Sequence, residues 1–396
     1  MKFDVVVIGG FGHVGLPLAI SLANVGKRVC ALDVHREAAQ SIMAGKMPFI
    51  DEGAEDLLRK ALESGKLEIS LEPEVISKAD VVCIVIGTPV DEHLNPEFKP
   101  IRAMIDSYIK FFRDGQLIVL RSTVYPGTTE NLRSWLKEKG KDVELAFCPE
   151  RIAEGFAVKE LRSLPQIVSS FSEEGVRRCQ DLFGLLTDEI VVVTPLEAEL
   201  AKLFNNVWRY IKFATANQFF MIANDHGADF YRIYHAATYK YPRASDLPTA
   251  GFAAGACLFK DAMQLAAFNN NTFNLGYAAM LINEGLPNYL VSRLKQRFRL
   301  RELVVGVLGM AFKANIDDGR ESLSYKLKKI LTFECRRVLC SDAYINGEGF
   351  VSPEELIAKS DIIVVATAHR EYRSLTVPEG KTVVDIWNLW GNGSVV

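Results

Sequence analysis

The 396-residue sequence contains no apolar run near the ~20 residues needed to cross a bilayer, no low-complexity segment and no charged tail. Its opening, Met1-Lys2-Phe3-Asp4, leads directly into a short apolar run and leaves no room for a signal peptide. Basic residues are not in excess: 46 Lys and Arg stand against 49 Asp and Glu, a net charge of -3. That removes the usual reason to expect nucleic acid or an anionic membrane as partner. The seven cysteines, at 30, 83, 148, 179, 257, 335 and 340, are odd in number and scattered, and some sit inside apolar runs such as 81–86. This pattern excludes a disulfide framework and any Cys/His metal spacing, so a cytoplasmic setting and no metal are expected. What the chain has in quantity is apolar residues, 49% of the total, enough to bury two or three domains.

Phe3 to Ile8 is a β-branched run ending in Gly9-Gly10-Phe11-Gly12-His13-Val14-Gly15, followed by a helical apolar pattern through Leu16, Leu18, Ile20 and Leu22. A second apolar run, Val29 to Leu32, closes on Asp33, 18 positions after Gly15. Strand, glycines at 10, 12 and 15, helix and then an acid form the dinucleotide fingerprint. The glycines allow a tight turn and close approach of a pyrophosphate to a helix N-terminus, and the carboxylate meets ribose hydroxyls. Gly10, Phe11, Gly12, His13, Val14, Gly15 and Asp33 are therefore candidate cofactor residues. Asp33 would repel a 2′-phosphate, so NAD is expected rather than NADP, Arg36 being the nearest cation that could oppose this.

Further β runs at 81–86, 117–120 and 143–147 alternate with helical stretches, the pattern of a parallel sheet with helices on both faces. Ligands sit at the carboxyl ends of such strands. Three polar clusters fall there: Gly87-Thr88-Pro89, Arg121-Ser122-Thr123 and Cys148-Pro149-Glu150-Arg151. Pro195 then opens a helical segment over roughly 196–224 that is too long for a crossover and rich in apolar and aromatic residues, a spine and a dimer face. Lys202 and Asn206, four apart, share one side of it. From Leu303 the pattern restarts with Val304 to Gly309, and strands are expected at 337–340, 361–366 and 382–386. Pro73-Glu74 leading into Lys78-Ala79-Asp80 is faintly echoed by Pro353-Glu354 leading into Lys359-Ser360-Asp361.

The expected fold is α/β, with two Rossmann-like doubly wound parallel-sheet domains joined by a long central helix and an all-helical dimerisation domain. The domains are placed at 1–194, 195–298 and 299–396. One loop of the middle part, Gly251 to Asp261, sets Cys257 among small residues beside Lys260 and Asp261. A neighbouring ammonium favours the nucleophilic thiolate. Taken alone, such a cysteine reads more naturally as a small buried hydrophobe.

The whole set of motifs resembles the nucleotide-sugar 6-dehydrogenase family of UDP-glucose, GDP-mannose and UDP-N-acetylhexosamine dehydrogenases. They are GFGHVGLPLA at 10–19, GTP at 87–89, STVYPGTT at 122–129, CPERIAEG at 148–155, AELAKLFNN at 198–206, GACLFKD at 255–261 and GMAFKANIDDGRES at 309–322. The resemblance implies Cys257 as nucleophile, with Lys202 and Asn206 facing the oxygen on the sugar C6 carbon. It puts Asp261 and Thr123 with the catalytic water, and Glu150 and Glu154 near the reacting centre and cofactor. Thr88, Pro89, Ser122, Thr123 and Arg320 would join the cofactor set. Glu150, Arg151, Lys202, Asn206, Arg243, Gly251, Gly255, Lys260, Phe312 and Lys313 would meet the UDP-sugar. Arg151-Ile152, where the glucose and mannose branches usually carry Phe-Leu, looks like the N-acetylhexosamine branch, and Ala256 and Ser169-Ser170 also depart from common patterns. UDP-glucose is the alternative substrate. A two-electron hydroxyacid dehydrogenase would need neither the thiol nor a third domain, and a non-catalytic sugar-nucleotide sensor would not need Cys257, Lys202, Asn206 and Asp261 together.

Overall fold

A computed structural model describes residues 2–87, 99–255, 257–393 and 396, so Thr88, Pro89 and Ala256 lie outside the described residues. The chain forms two compact units, 1–205 and 206–396.

The first unit is built on six parallel strands: β1 (Phe3–Ile8), β2 (Val29–Leu32), β3 (Leu67–Ser70), β4 (Ala79–Ile84), β5 (Leu117–Leu120) and β6 (Glu144–Phe147). Their order is β3-β2-β1-β4-β5-β6, the doubly wound arrangement, with β1 paired in register to β2 (Val5 opposite Val29) and to β4 (Val5 opposite Val81). β1 shows why the runs are continuous rather than alternating. Val5 and Val7 face one apolar cluster while Phe3, Val6 and Ile8 face another, so both sides of the sheet are covered. A short parallel pair, β7 (Gln166–Val168) with β8 (Ile190–Val192), completes the unit. Ser169 and Ser170 run along β6, the hydroxyls donating to Phe147 O and Leu145 O.

Pro195 opens the long helix, Pro195–Asp225, where a missing N–H costs nothing. Its 31 residues give roughly 46 Å of continuous helix at ~1.5 Å per residue, and they carry the chain from the first unit into the second. In the second unit, helices Leu258–Phe268 and Asn274–Arg297 precede four parallel strands: β9 (Val304–Leu308), β10 (Arg337–Ser341), β11 (Ile362–Val365) and β12 (Thr382–Asp385). Their order, β10-β9-β11-β12, repeats the β2-β1-β4-β5 core of the first sheet. The sequence echo falls on matching elements: 73–78 leads into β4 beside β1, and 353–359 leads into β11 beside β9. No helix among the described residues is long and apolar enough to cross a membrane.

Candidate active site

The first βα turn of the first unit has the build of a dinucleotide cradle. Gly9 takes φ +76, and a Cβ there would lie 1.7 Å from Val85 O. A Cβ at Gly10 would meet Val7 O at 2.7 Å, and one at Gly15 would meet Gly9 O at 2.1 Å, so these glycines allow close packing of strand, turn and helix. Gly12 differs: its nearest neighbour would be 3.8 Å away, leaving its face open to a ligand. The Gly15–Asn24 helix has no side-chain cap on its first turn, the state that suits a phosphate. Asp33 at the end of β2 leans over this turn, accepting from Phe11 N at 3.2 Å and from Val34 N at 2.7 Å. The residues present fit NAD.

At the carboxyl ends of β4, β5 and β6, Ser122 Oγ accepts from Ile86 N at 2.8 Å, tying two strand ends together. Arg121 is fully buried, its Nη2 donating to Glu150 Oε2 and its guanidinium stacked on Phe183 at 4.6 Å. Glu150 Oε1 accepts from Arg151 N and Ile152 N, so this carboxylate holds the turn that carries it. Thr123 is half-buried beside Ser122, and Arg151 donates to Pro165 O. Further along the same segment, buried Asp51 accepts from Ala157 N at 2.7 Å and Val158 N at 3.2 Å, and Glu52 N donates to Gly155 O. These bonds fix the backbone just after Glu154.

The long helix is anchored one turn before Lys202. Buried Glu199 accepts from Gly127 N, Thr129 N and Thr129 Oγ1, and burial pushes its carboxyl above the usual range against those hydrogen bonds. Lys202 is half-buried and Asn206, one turn later, is buried. Asn206 Nδ2 donates to Asp261 Oδ2 at 2.5 Å, and Lys260 Nζ lies 3.4 Å from Asp261 Oδ1. Cys257 is the N-cap of the Leu258–Phe268 helix, and Asp261 N donates to its carbonyl at 2.9 Å. It is the exposed cysteine of the seven. Burial drives the thiols of Cys30 and Cys83 up to about 12. Burial also opposes ionisation of Cys148, but there the Cys179 hydrogen bond and the Arg121 guanidinium outweigh it and leave the thiol below its ordinary value.

The thiol loop is held by neighbours within its own unit. Gly251 N donates to Asn217 Oδ1 at 2.9 Å, and Asn217 passes a hydrogen bond to Asn283, which donates to Tyr210 O. A Cβ on Gly251 would lie 2.2 Å from the Trp387 ring, and one on Gly255, at φ +103, 2.7 Å from the Phe312 ring. Phe312 thus packs on the loop two residues from Cys257, with Lys313 half-buried beside it. Arg320 folds back onto Asp318, Nε and Nη2 both donating to that carboxylate. Arg243 lies exposed on another segment, against Tyr241. In the second unit the structure therefore gathers Asn206, Gly255, Cys257, Lys260, Asp261 and Phe312. Sequence reasoning missed the supports Asp51, Glu199, Asn217 and Trp387. Only Glu199 carried a signal, one helical turn from Lys202.

Comparison with known proteins agrees with this construction. The UDP-glucose/GDP-mannose dehydrogenase family matches in chain order: its NAD binding domain over residues 3–185, its central domain over 196–285 and its UDP binding domain over 306–392. The chain belongs to the UDP-glucose/GDP-mannose dehydrogenase family and is an NAD-dependent nucleotide-sugar dehydrogenase. It is 28% identical to an NDP-N-acetyl-D-galactosaminuronic acid dehydrogenase of Ralstonia nicotianae, over 98% of this chain and 97% of that protein. It is 29% identical to a UDP-N-acetyl-D-mannosamine dehydrogenase of Pyrococcus horikoshii, over 93% and 90%. Among solved structures, the UDP-D-ManNAc dehydrogenase of Pyrococcus horikoshii superposes with a TM-score of 0.91 at 28% identity, covering 99% of this chain and 97% of that one. A UDP-glucose dehydrogenase from Pyrobaculum islandicum gives 0.88 at 28%, over 97% and 94%.

Proposed function

We propose that this enzyme oxidises the C6 hydroxymethyl group of a UDP-sugar to the uronic acid, the sugar being N-acetylmannosamine or N-acetylglucosamine. The observation that carries the reading is an exposed cysteine at the N-cap position of a helix whose first turn also bears Lys260 and Asp261, with Asn206 bonded to that aspartate. The Gly10 to Gly15 turn with Asp33, Ser122 and Thr123, and Arg320 as a further candidate, would hold NAD, which would supply the hydride acceptor, two being needed per alcohol taken to acid. The helix N-terminus and nearby ammonium favour negative charge on the Cys257 sulfur. That sulfur adds to the aldehyde carbon, and the thiohemiacetal keeps the half-oxidised sugar bound until the second oxidation. The thioester that follows is hydrolysed by water, which Asp261 orients and deprotonates with Thr123, returning the thiol and releasing the carboxylate. Lys202 and the amide of Asn206 stabilise the charge that builds on the C6 oxygen. Glu150, which also holds its own turn, and Glu154 are assigned near the reacting centre and the cofactor. Arg151, Arg243, Gly251, Gly255, Lys260, Phe312 and Lys313 form the substrate side.

The preference for an N-acetylhexosamine rests on Arg151-Ile152 and on the N-acetylated sugars after which the Ralstonia and Pyrococcus relatives are named. NADH release should be followed on UDP-N-acetylmannosamine, UDP-N-acetylglucosamine and UDP-glucose in parallel, with mass analysis of the product. A uronic acid and two NADH per sugar are expected; free aldehyde after one NADH would overturn the thioester route, and best turnover on UDP-glucose the sugar assignment.

Three modules, 1–194, 195–298 and 299–396, are proposed for the division of labour, in a cytoplasmic homodimer. Supporting the dimer, the long helix exposes Trp208, Phe219 and Ile222, each 49–55% accessible, with Leu275 on a neighbouring helix at 57%. Light scattering should report two chains per particle at micromolar protein, and a monomer would remove that part.

A further inference from the structure

The first βα loop of the second sheet, residues 309–320, carries Phe312 and Lys313, and it is pinned by the buried side chains of Asp342, Thr367 and His369. Asp342, at the end of β10, accepts from Met310 N at 2.5 Å and Ala311 N at 2.9 Å on this loop, and from Tyr344 N and Ile345 N on its own. A fifth donor comes from His369, whose Nε2 lies 3.2 Å from Asp342 Oδ2, both side chains being fully buried. The other ring nitrogen, Nδ1, accepts from Asn315 N at 2.9 Å. An N–H cannot donate to a protonated ring nitrogen, so the Asn315 contact and the aspartate together require the proton on Nε2. Asn315 sits at φ +63, in the left-handed region that asparagine tolerates, and Arg370 N donates to its Oδ1 at 2.9 Å. Thr367 Oγ1 adds a bond to Ala311 O at 2.6 Å.

We propose that His369, fixed in one tautomer by Asp342, is a positioning residue for nucleotide-sugar binding: its bond to Asn315 N sets the 310–315 backbone and with it Phe312 and Lys313. Phe312 in turn packs on Gly255, so the same bond reaches the thiol loop. The proposal rests on Phe312 and Lys313 meeting the UDP-sugar.

Side-chain ¹⁵N spectra of the full-length protein labelled in histidine should show His369 as the Nε2–H tautomer. Calorimetric titration with UDP, and with NADH as control for the first unit, should show about tenfold weaker UDP binding for His369→Leu. NADH affinity should be unchanged, and KM for the sugar nucleotide should rise more than kcat falls. His369→Asn, which returns an acceptor near the Nδ1 position, should recover part of the loss. An Nδ1–H tautomer in the wild type overturns the proposal, as does UDP binding by folded His369→Leu equal to wild type, or equal losses in the Leu and Asn variants. Wild type that binds NADH but not UDP would instead overturn the reading on which the proposal stands.

Discussion

The first turns of the two sheets share a frame and are finished for different ends. After β1, Gly9 at φ +76 tucks under Val85, the residue following β4; after β9, Gly309 at φ +95 tucks under Thr367, which follows β11. An acid ends the neighbouring strand in each, Asp33 after β2 and Asp342 after β10, and each reaches back to amides of the turn. From there they diverge. Asp33 accepts one turn amide, that of Phe11 next to the uncrowded Gly12, which leaves its carboxylate capacity for ribose hydroxyls. Asp342 is enclosed by four backbone amides and His369, and those donors hold its carboxyl down at about 2 despite burial. One fold position is thus left available to a ligand in the first unit and is taken up by a loop in the second, which is why topology alone does not assign function.

The comparison is broken most severely at the glycines. Gly9→Ala should cost more than about 3 kcal/mol, since its Cβ would overlap a carbonyl and the backbone sits at positive φ. Gly12→Ala should leave thermal stability within about 2 °C yet weaken NAD binding by about tenfold or more, as its face is open in the protein alone. Calorimetry with differential scanning separates the two, and equal thermal losses would contradict the cradle assignment.

Removal of the acids comes next. Asp342→Ala leaves buried amides unsatisfied and should cost about 2–4 kcal/mol, whereas Asp33→Ala should cost under about 0.5 kcal/mol in stability and act on NAD affinity, more than on NADP. Denaturant titration beside NAD titration would show the opposite split if the roles were exchanged.

The smallest effect is in acid. Asp342 has a folded value of about 2 against an ordinary 3.8, so its contribution is present in full above the ordinary value and is lost as pH falls through about 2. That contribution is about 2 kcal/mol. The Tm gap between wild type and Asp342→Asn should be constant from pH 7 to about 5 and should narrow toward pH 2; a gap that widens in acid would reverse the sign. Glu199 and Asp385, raised by burial, act oppositely, their stabilisation being lost as pH rises through their folded values.

The cradle was legible because its chemistry is local: strand, three glycines, helix and acid fall within 33 residues. The long helix was equally plain from its lack of internal proline and glycine, and it runs Pro195–Asp225 against an expected 196–224. β3, β7 and β8 were not foreseen, being three- or four-residue strands with little pattern to read. Asp51, Asp342 and His369 were hidden for another reason. Their partners are backbone amides 106, 32 and 54 positions away, and a backbone N–H leaves no mark in residue type or spacing. The thiol loop lay between these cases: Cys257, Lys260 and Asp261 stand together in sequence, but the Asn206 bond to Asp261 crosses 55 residues.

The central claim, that Cys257 captures the sugar covalently, is tested most directly by counting NADH against intact protein mass in Cys257→Ser. Serine binds in the same place but attacks and leaves poorly, so NAD and UDP-sugar should still bind while turnover stops. Wild type should yield two NADH per sugar with no free aldehyde, and the variant at most about one equivalent per site, any adduct matching the bound sugar nucleotide. Wild-type turnover by Cys257→Ser would contradict the claim.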